Sequence, residues 1–167
     1  DLLEASGFKG AVSVSIYNRS TTEQQRVKLR ERPPHILLTN YQMLEYLMVR
    51  PADREALFKG HRLRFLVLDE VHTYRGTLGT HVALLVRRLK AHLQRANAEA
   101  PALIPVGTSA TIKSGGDPTG AAPRGLQGHA VDRGREEAVK GFFSKLAGIP
   151  DKTSIRVIFE DPIEIPK

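Results

Sequence analysis

The 167-residue sequence has no cysteine and no tryptophan, and aromatic residues make up only 6% of it. Without cysteine there is no disulfide framework, no thiol nucleophile, and no Cys-ligated zinc or iron–sulfur cluster. Six scattered histidines are the remaining candidate nitrogen ligands. Long apolar runs are lacking too. Stretches such as Phe65-Leu66-Val67-Leu68 fall far short of the roughly 20 residues a membrane helix needs. Asp1-Leu2-Leu3-Glu4 has no signal-peptide character, so a soluble, cytoplasmic protein is expected. What is present suits one folded domain: 41% apolar and 26% charged residues. Lys and Arg total 25 against 18 Asp and Glu, giving 25 − 18 = +7. That balance makes a polyanion a sensible partner. The chain opens on Asp1 with helix-like Leu2-Leu3-Glu4-Ala5 ending at Gly7, as though it began inside a larger fold.

Hydrophobic periodicity then sets out an order of elements. Ala11 to Tyr17 alternates with period two and predicts a strand. Ser20-Thr21-Thr22-Glu23 offers an N-cap with Glu three residues on, opening a basic helix that Pro33-Pro34 stops. His35 to Asn40 predicts a second strand, Tyr41 to Met48 a helix, and Pro51 a further short helix ending near Lys59-Gly60. The apolar run Phe65 to Leu68, closed by Asp69-Glu70, has the profile of a buried central strand. Leu78, Val82, Leu85, Val86, Leu89 and Leu93 recur at steps of three and four, predicting one long amphipathic helix to about Ala98. Ala102 to Thr111 reads as a strand, with Pro105 an irregularity in it. Residues 113–134 hold six Gly and two Pro and predict an exposed loop. Glu136 to Leu146 reads as a helix ended by Gly148, and Ile155 to Glu160 as a closing strand.

Strands separated by helices imply an α/β fold with a parallel sheet covered on both faces, in three layers. Active residues of such folds lie beyond the C-terminal ends of the strands. Three clusters occupy such positions, expected to meet at one sheet edge: Thr39-Asn40, Asp69-Glu70-Val71-His72 and Ser109-Ala110-Thr111. Asp69 and Glu70 are adjacent on a strand, so they start toward opposite sides and do not form a facing carboxylate pair. Two neighbouring acids after a hydrophobic strand suit a phosphate pocket instead, one holding Mg²⁺ and the other polarising water. Other features read more plainly. Arg26, Lys28, Arg30 and Arg32 form a basic helix face whose usual fate is solvation. His81 and His92 lack H-E-x-x-H spacing, so no zinc is expected there. Tyr41, Met43, Leu44 and Tyr46 recur at helical spacing and read as core and interface, with Tyr41 the candidate for contact with a base.

The segment Leu68-Asp69-Glu70-Val71-His72 resembles the DExH form of motif II in superfamily-2 helicases, and Gly107-Thr108-Ser109-Ala110-Thr111 resembles their Ser-Ala-Thr motif III. Pro34 to Leu44, with Thr39-Asn40 at a strand end, is similar to motif Ib. The longer string from Leu63 to Gly76, continuing into Val82 to Leu89, is similar to the branch containing MrfA-like repair helicases and DISARM-type defence helicases. The likeness covers about Tyr17 to Thr111 closely and the final helix and strand loosely. It implies a RecA-like (P-loop NTPase) domain over residues 1–167, incomplete at its N-terminal side, with ATP and Mg²⁺ as cofactors in the intact protein. By position, Asp69 would organise Mg²⁺ and Glu70 would activate water. His72, Ser109 and Thr111 would couple hydrolysis to movement, and Thr39, Asn40 and Tyr41 would approach the backbone of DNA, or of RNA.

One part of the pattern is missing. Phosphate cradling needs a loop of the form G-x-x-x-x-G-K-[ST]. The nearest string here, Gly107 to Ser114, has Ile112 where the second Gly must stand. A side chain there obstructs the anion nest. The resemblance therefore implies that the phosphate loop and the second RecA-like domain are supplied elsewhere, in cis or in trans. Two functions follow: a motor portion of an ATP-dependent DNA helicase or translocase, or a non-catalytic nucleic-acid-binding or scaffold domain derived from one.

Overall fold

Strand β1 (Val14–Tyr17) forms where the predicted alternation lies, and it pairs in parallel with β2 (Ile36–Thr39) in the register Val14↔Ile36 to Tyr17↔Thr39. The computed structural model describes residues 7, 10–58, 63–109 and 128–158. The chain forms two units, one comprising Asp1–Leu66 with Arg88–Ile104, the other Val67–Arg87 with Pro105–Lys167.

In the first unit the parallel pair requires a crossover, and helix α1 (Glu23–Glu31) lies within it. Helices α2 (Tyr41–Val49) and α3 (Pro51–Phe58) follow β2 directly. Tyr17, Leu47 and Phe58 pack with Leu89 and Leu93, and Leu29, Leu37, Met43 and Leu44 close around them. Polar chemistry fixes α1 against α3. Asp53 is only 2% exposed, and its Oδ1 accepts a bond from Arg30 Nη1 at 2.8 Å, while Arg30 Nη2 reaches Glu23 Oε1 at 2.6 Å. The bond from Arg30 holds the Glu23 carboxyl below its ordinary pKa. Arg88 forms an ion pair with Glu45 on the same unit.

In the second unit the chain continues from β3 (Phe65–Leu68) through a 3₁₀ turn (Val71–Thr73) into α4 (Gly76–Ala96), whose last turns belong to the first unit. Strand β4 (Ile104–Gly107) runs parallel to β3, since Ile104 N donates to Arg64 O and Thr108 N to Leu68 O, both partners advancing by four. Residues 104 and 108 thus turn their N–H groups toward β3. Pro105, which has none, falls on the side away from it, so the ladder loses nothing. Val82, Leu85, Val86, Val139, Phe143 and Leu146 are buried in this unit. Helix α5 (Gly128–Ala147) stops at Gly148, where φ is +62°. There Ile149 N donates to Ser144 O at 3.0 Å, the six-to-one bond of a Schellman end.

One face of each strand pair is exposed and apolar: Val14, Ile16, Ile36 and Leu38 on the first, Phe65, Val67, Ile104 and Val106 on the second. No helix among the described residues is long and apolar enough to cross a membrane.

Several expectations are corrected. The cap of α1 is Thr22, not Ser20: Thr22 accepts from Gln25 N, and Gln25 Oε1 accepts from Thr22 N. Ser20 and Thr21 are already engaged in a turn around Asn18, whose Oδ1 accepts from Ser20 N and Ser20 Oγ. The loop expected over 113–134 ends sooner, because 128–134 are already helical and 113–127 lie outside the described residues. Of the closing strand expected over 155–160, residues 155–158 pair with no strand, and 159–160 lie outside the described residues. The Ile155 N–H is used by the turn Lys152–Ser154, donating to Lys152 O. Tyr46, read with Tyr41, Met43 and Leu44 as core and interface, is 52% exposed and so is not core. The opening segment Leu2–Ala5 lies outside the described residues.

Candidate functional site

Where β3 ends, Leu68 is buried and the next two residues turn outward into solvent as Asp69 and Glu70. Glu70 has φ 50° and ψ 47°, the one left-handed residue other than glycine among those described. For a residue with a Cβ this costs about 1–2 kcal/mol. The turn is tied on all sides. Glu70 N donates to Asp69 Oδ1 at 3.0 Å, Thr73 Oγ1 donates to Glu70 O at 2.8 Å, and Val71 N donates to Thr108 O at 2.9 Å. Thr108 Oγ1 donates to the same Asp69 Oδ1. One carboxylate oxygen of Asp69 thus collects both bonds, and Oδ2 is left for another partner. Tyr74 is held as a neutral phenol, its pKa raised first by burial and then by the charge of Asp69.

The ends of β3 and β4 are joined through His72. Its Nδ1 lies 2.8 Å from Ser109 Oγ and 3.1 Å from Glu70 Oε2. The contact with Ser109 is a hydrogen bond, and the one with Glu70 becomes an ion pair when the ring is protonated. Two glycines permit this packing. A Cβ on Gly107 would lie 2.6 Å from Phe143 Cε2 and 3.1 Å from Val71 Cγ1. A Cβ on Gly79 would lie 2.4 Å from the carbonyl oxygen of Tyr74. The structure therefore brings Asp69, Glu70, His72 and Ser109 together. Thr111 lies outside the described residues.

Thr39, Asn40 and Tyr41 belong to the first unit. Thr39 Oγ1 donates to Tyr17 O at 2.8 Å, and Asn40 caps α2 by accepting from Met43 N at 2.9 Å. Both therefore have structural tasks, and the Asn40 amide nitrogen keeps its two donors. Tyr41 opens α2 and is partly buried. Among the residues of the basic helix, Arg30 is committed to Glu23 and Asp53, so that face is not simply solvated. His92 meets the Phe58 ring edge-on at 6.2 Å, a packing role.

Parallel strands that deliver an acid pair and a serine-bearing turn to neighbouring ends define a mixed α/β domain of the RecA-like type. The model of the DEAD/DEAH box helicase family matches residues 2–116, and the chain belongs to that family. Among similar proteins, the Druantia protein DruE of Escherichia coli is 34% identical over 125 residues, covering 68% of this chain and 7% of the relative. The ATP-dependent helicase YprA of Bacillus subtilis is 39% identical over 74 residues, covering 44% of this chain and 10% of its own length. Among solved structures, the DUF1998 helicase MrfA bound to DNA and AMPPNP superposes with a TM-score of 0.60 at 29% identity, covering 88% of this chain and 17% of that one. The chain thus spans under a fifth of each of these relatives.

Tyr17, Arg19 and Arg50, to which the sequence assigned no site, line a cavity on the first unit together with Arg26, Asn40 and Tyr46. They are scattered over more than thirty positions, and no local motif links them. The one available signal was the polar string Tyr17-Asn18-Arg19 at the end of a strand.

Proposed function

We propose that this chain forms part of the first motor domain of an ATP-dependent DNA helicase or translocase. In this reading Asp69 and Glu70 serve nucleotide hydrolysis, while Thr39, Asn40 and Tyr41 face nucleic acid. The supporting observation is the joined end of β3 and β4, in which one nitrogen of His72, Nδ1, meets both Glu70 and Ser109. A change in the charge or position of Glu70 is felt at Ser109 through a single ring.

The residues fit a metal–nucleotide complex. Asp69 has one oxygen committed to Thr108 and Glu70 N, which fixes the plane of the carboxylate and leaves Oδ2 to hold Mg²⁺ directly or through water. The bound cation would neutralise charge on the transferred phosphoryl group. Glu70 has its Oε2 held by His72, and its other oxygen can accept a proton from attacking water. DNA is the expected track, a reading supported by the likeness to MrfA, whose structure is bound to DNA.

The second reading, a non-catalytic nucleic-acid-binding or scaffold domain, is favoured by the lack of a G-x-x-x-x-G-K-[ST] string in these 167 residues. The test joins the chain to flanking segments that carry a phosphate loop and a second motor domain, then measures DNA-stimulated ATP turnover with and without Glu70→Gln. Turnover falling by roughly 10²–10⁴ with nucleotide binding retained supports the motor. No turnover even before substitution supports the scaffold.

A further inference from the structure

Helix α5 carries no residue assigned to the site, yet one of its side chains is packed against the strand end that bears Ser109. Phe143 is 9% exposed, and its ring fills the space over Gly107: a Cβ built at 107 would meet Phe143 Cε2 at 2.6 Å and Cδ2 at 3.1 Å. Val71 Cγ1 closes on the same point, also at 3.1 Å. Gly107 stands two residues before Ser109, and Val71 immediately before His72. Backbone bonds tie these segments together, Thr108 N donating to Leu68 O at 3.0 Å and Val71 N to Thr108 O at 2.9 Å. They fix the spacing of the two strand ends, and the Phe143 ring limits how far Gly107 can sink toward α5.

The ring is itself held in place. Two residues beyond it, Lys145 O accepts from Arg87 Nη2 at 2.8 Å, while Arg87 Nη1 donates to Ala83 O, one turn back on α4, at 2.9 Å. Gly148 rests on the stem of the same arginine, where a Cβ would lie 3.3 Å from Arg87 Cγ. The helix that follows the acid turn therefore anchors the helix that wedges the serine turn. Close-packed interiors pass small displacements on, because no void absorbs them. The contact at stake is sensitive to such displacements: His72 Nδ1 lies 2.8 Å from Ser109 Oγ, and a shift of about 0.7 Å takes it out of hydrogen-bond range.

We propose that Phe143 is a positioning residue, which keeps Ser109 Oγ against His72 Nδ1 by wedging Gly107, with Arg87 setting where the wedge sits. The ring is apolar and acts only through the backbone it supports. Its part in ATP turnover rests on the motor reading above; its part in the geometry does not.

The experiment records the ring-nitrogen NMR signals of His72 at fixed pH in the chain and in Phe143→Leu, Arg87→Gln, Val139→Ala and Ser109→Ala. Ser109→Ala marks the signal of a ring without its partner. Val139→Ala makes a cavity one turn earlier on α5, at another buried position, and controls for lost stability alone. Phe143→Leu and Arg87→Gln should move the His72 signal toward that of Ser109→Ala, while Val139→Ala lowers the unfolding midpoint and leaves the signal in place. In the chain joined to its flanking segments, Phe143→Leu should lower ATP turnover roughly tenfold with nucleotide affinity unchanged. An unmoved signal in Phe143→Leu overturns the proposal, and so does equal movement in Val139→Ala. Should Phe143→Leu fail to fold, Arg87→Gln, at an exposed position, decides by the same signals. A moved signal with no turnover in the joined parent supports the wedge and overturns the motor reading. An unmoved signal with turnover in the joined parent overturns the wedge and leaves the motor reading standing.

Discussion

Glu70 offers a test in which the ordinary ranking of two small residues should reverse. In most settings glycine is about 0.5–1 kcal/mol less stable than alanine, because it loses more freedom on folding. At φ 50° and ψ 47° alanine keeps the steric cost of a Cβ, about 1–2 kcal/mol, and glycine loses it. Both substitutions remove the same exposed contact with His72, and both keep the carbonyl that Thr73 binds, so those contributions cancel. The difference leaves Glu70→Gly about 0.5–1 kcal/mol more stable than Glu70→Ala. For a chain of this size that is roughly 1–4 °C in melting temperature. Urea and thermal unfolding of the two variants, followed by circular dichroism, measure it. Alanine equal to or above glycine would show that the left-handed turn is not held in solution, and the placement of Glu70 against His72 would fall with it.

Three further outcomes are expected. Gly79→Ala should destabilise by about 2 kcal/mol or more, because its Cβ would sit 2.4 Å from the Tyr74 carbonyl oxygen, backbone that cannot swing aside; a shift in urea midpoint under half that size would refute the close approach. Asp53→Ala should cost about 2 kcal/mol, below the range for a wholly buried pair because Arg30 is 23% exposed, and a double-mutant cycle with Arg30→Ala should show positive coupling. Stability should also depend on pH at both extremes. The Glu23 and Asp151 carboxyls are lowered from 4.5 and 3.8, through bonds from Arg30 and Thr153 respectively, so their contribution is present above those values and lost as pH falls through the folded ones. Tyr74 is raised from 10.0, so its contribution is complete below 10.0 and lost as pH rises through the folded value. Unfolding midpoints from pH 2 to 11 should show both limbs, and Glu23→Gln should flatten the acid one.

The helix α4 was legible because Val82, Leu85, Val86, Leu89 and Leu93 repeat at steps that only a helix satisfies, and all five are buried. The acid pair was legible for a similar reason: an apolar strand that stops at Asp69 leaves that side chain at a strand end. The backbone conformation of Glu70 was not, since left-handed geometry is signalled by glycine or asparagine and no such residue stands there. The cap of α1 was misplaced by two residues because Ser20 and Thr22 are equally good caps, and the choice was made by Asn18 through a turn. That Tyr46 is not core was not legible, because helical spacing gives a face but not which rim of it is covered. The final segment failed as a strand for a different reason. Ile155-Arg156-Val157-Ile158 has strand propensity, but a ladder also needs a neighbouring edge, and among the described residues none pairs with it.

The bond from Thr39 Oγ1 to Tyr17 O has a mechanical meaning. Tyr17 and Thr39 already face each other as the last pair of the β1–β2 ladder, and the hydroxyl adds a clasp beyond it. The segments leaving those two residues, one toward Arg19 and the other toward Asn40, therefore pivot on a shared hinge pin. Anything that displaces one of these segments would draw the other with it, so the turn after Tyr17 and the start of α2 behave as one piece.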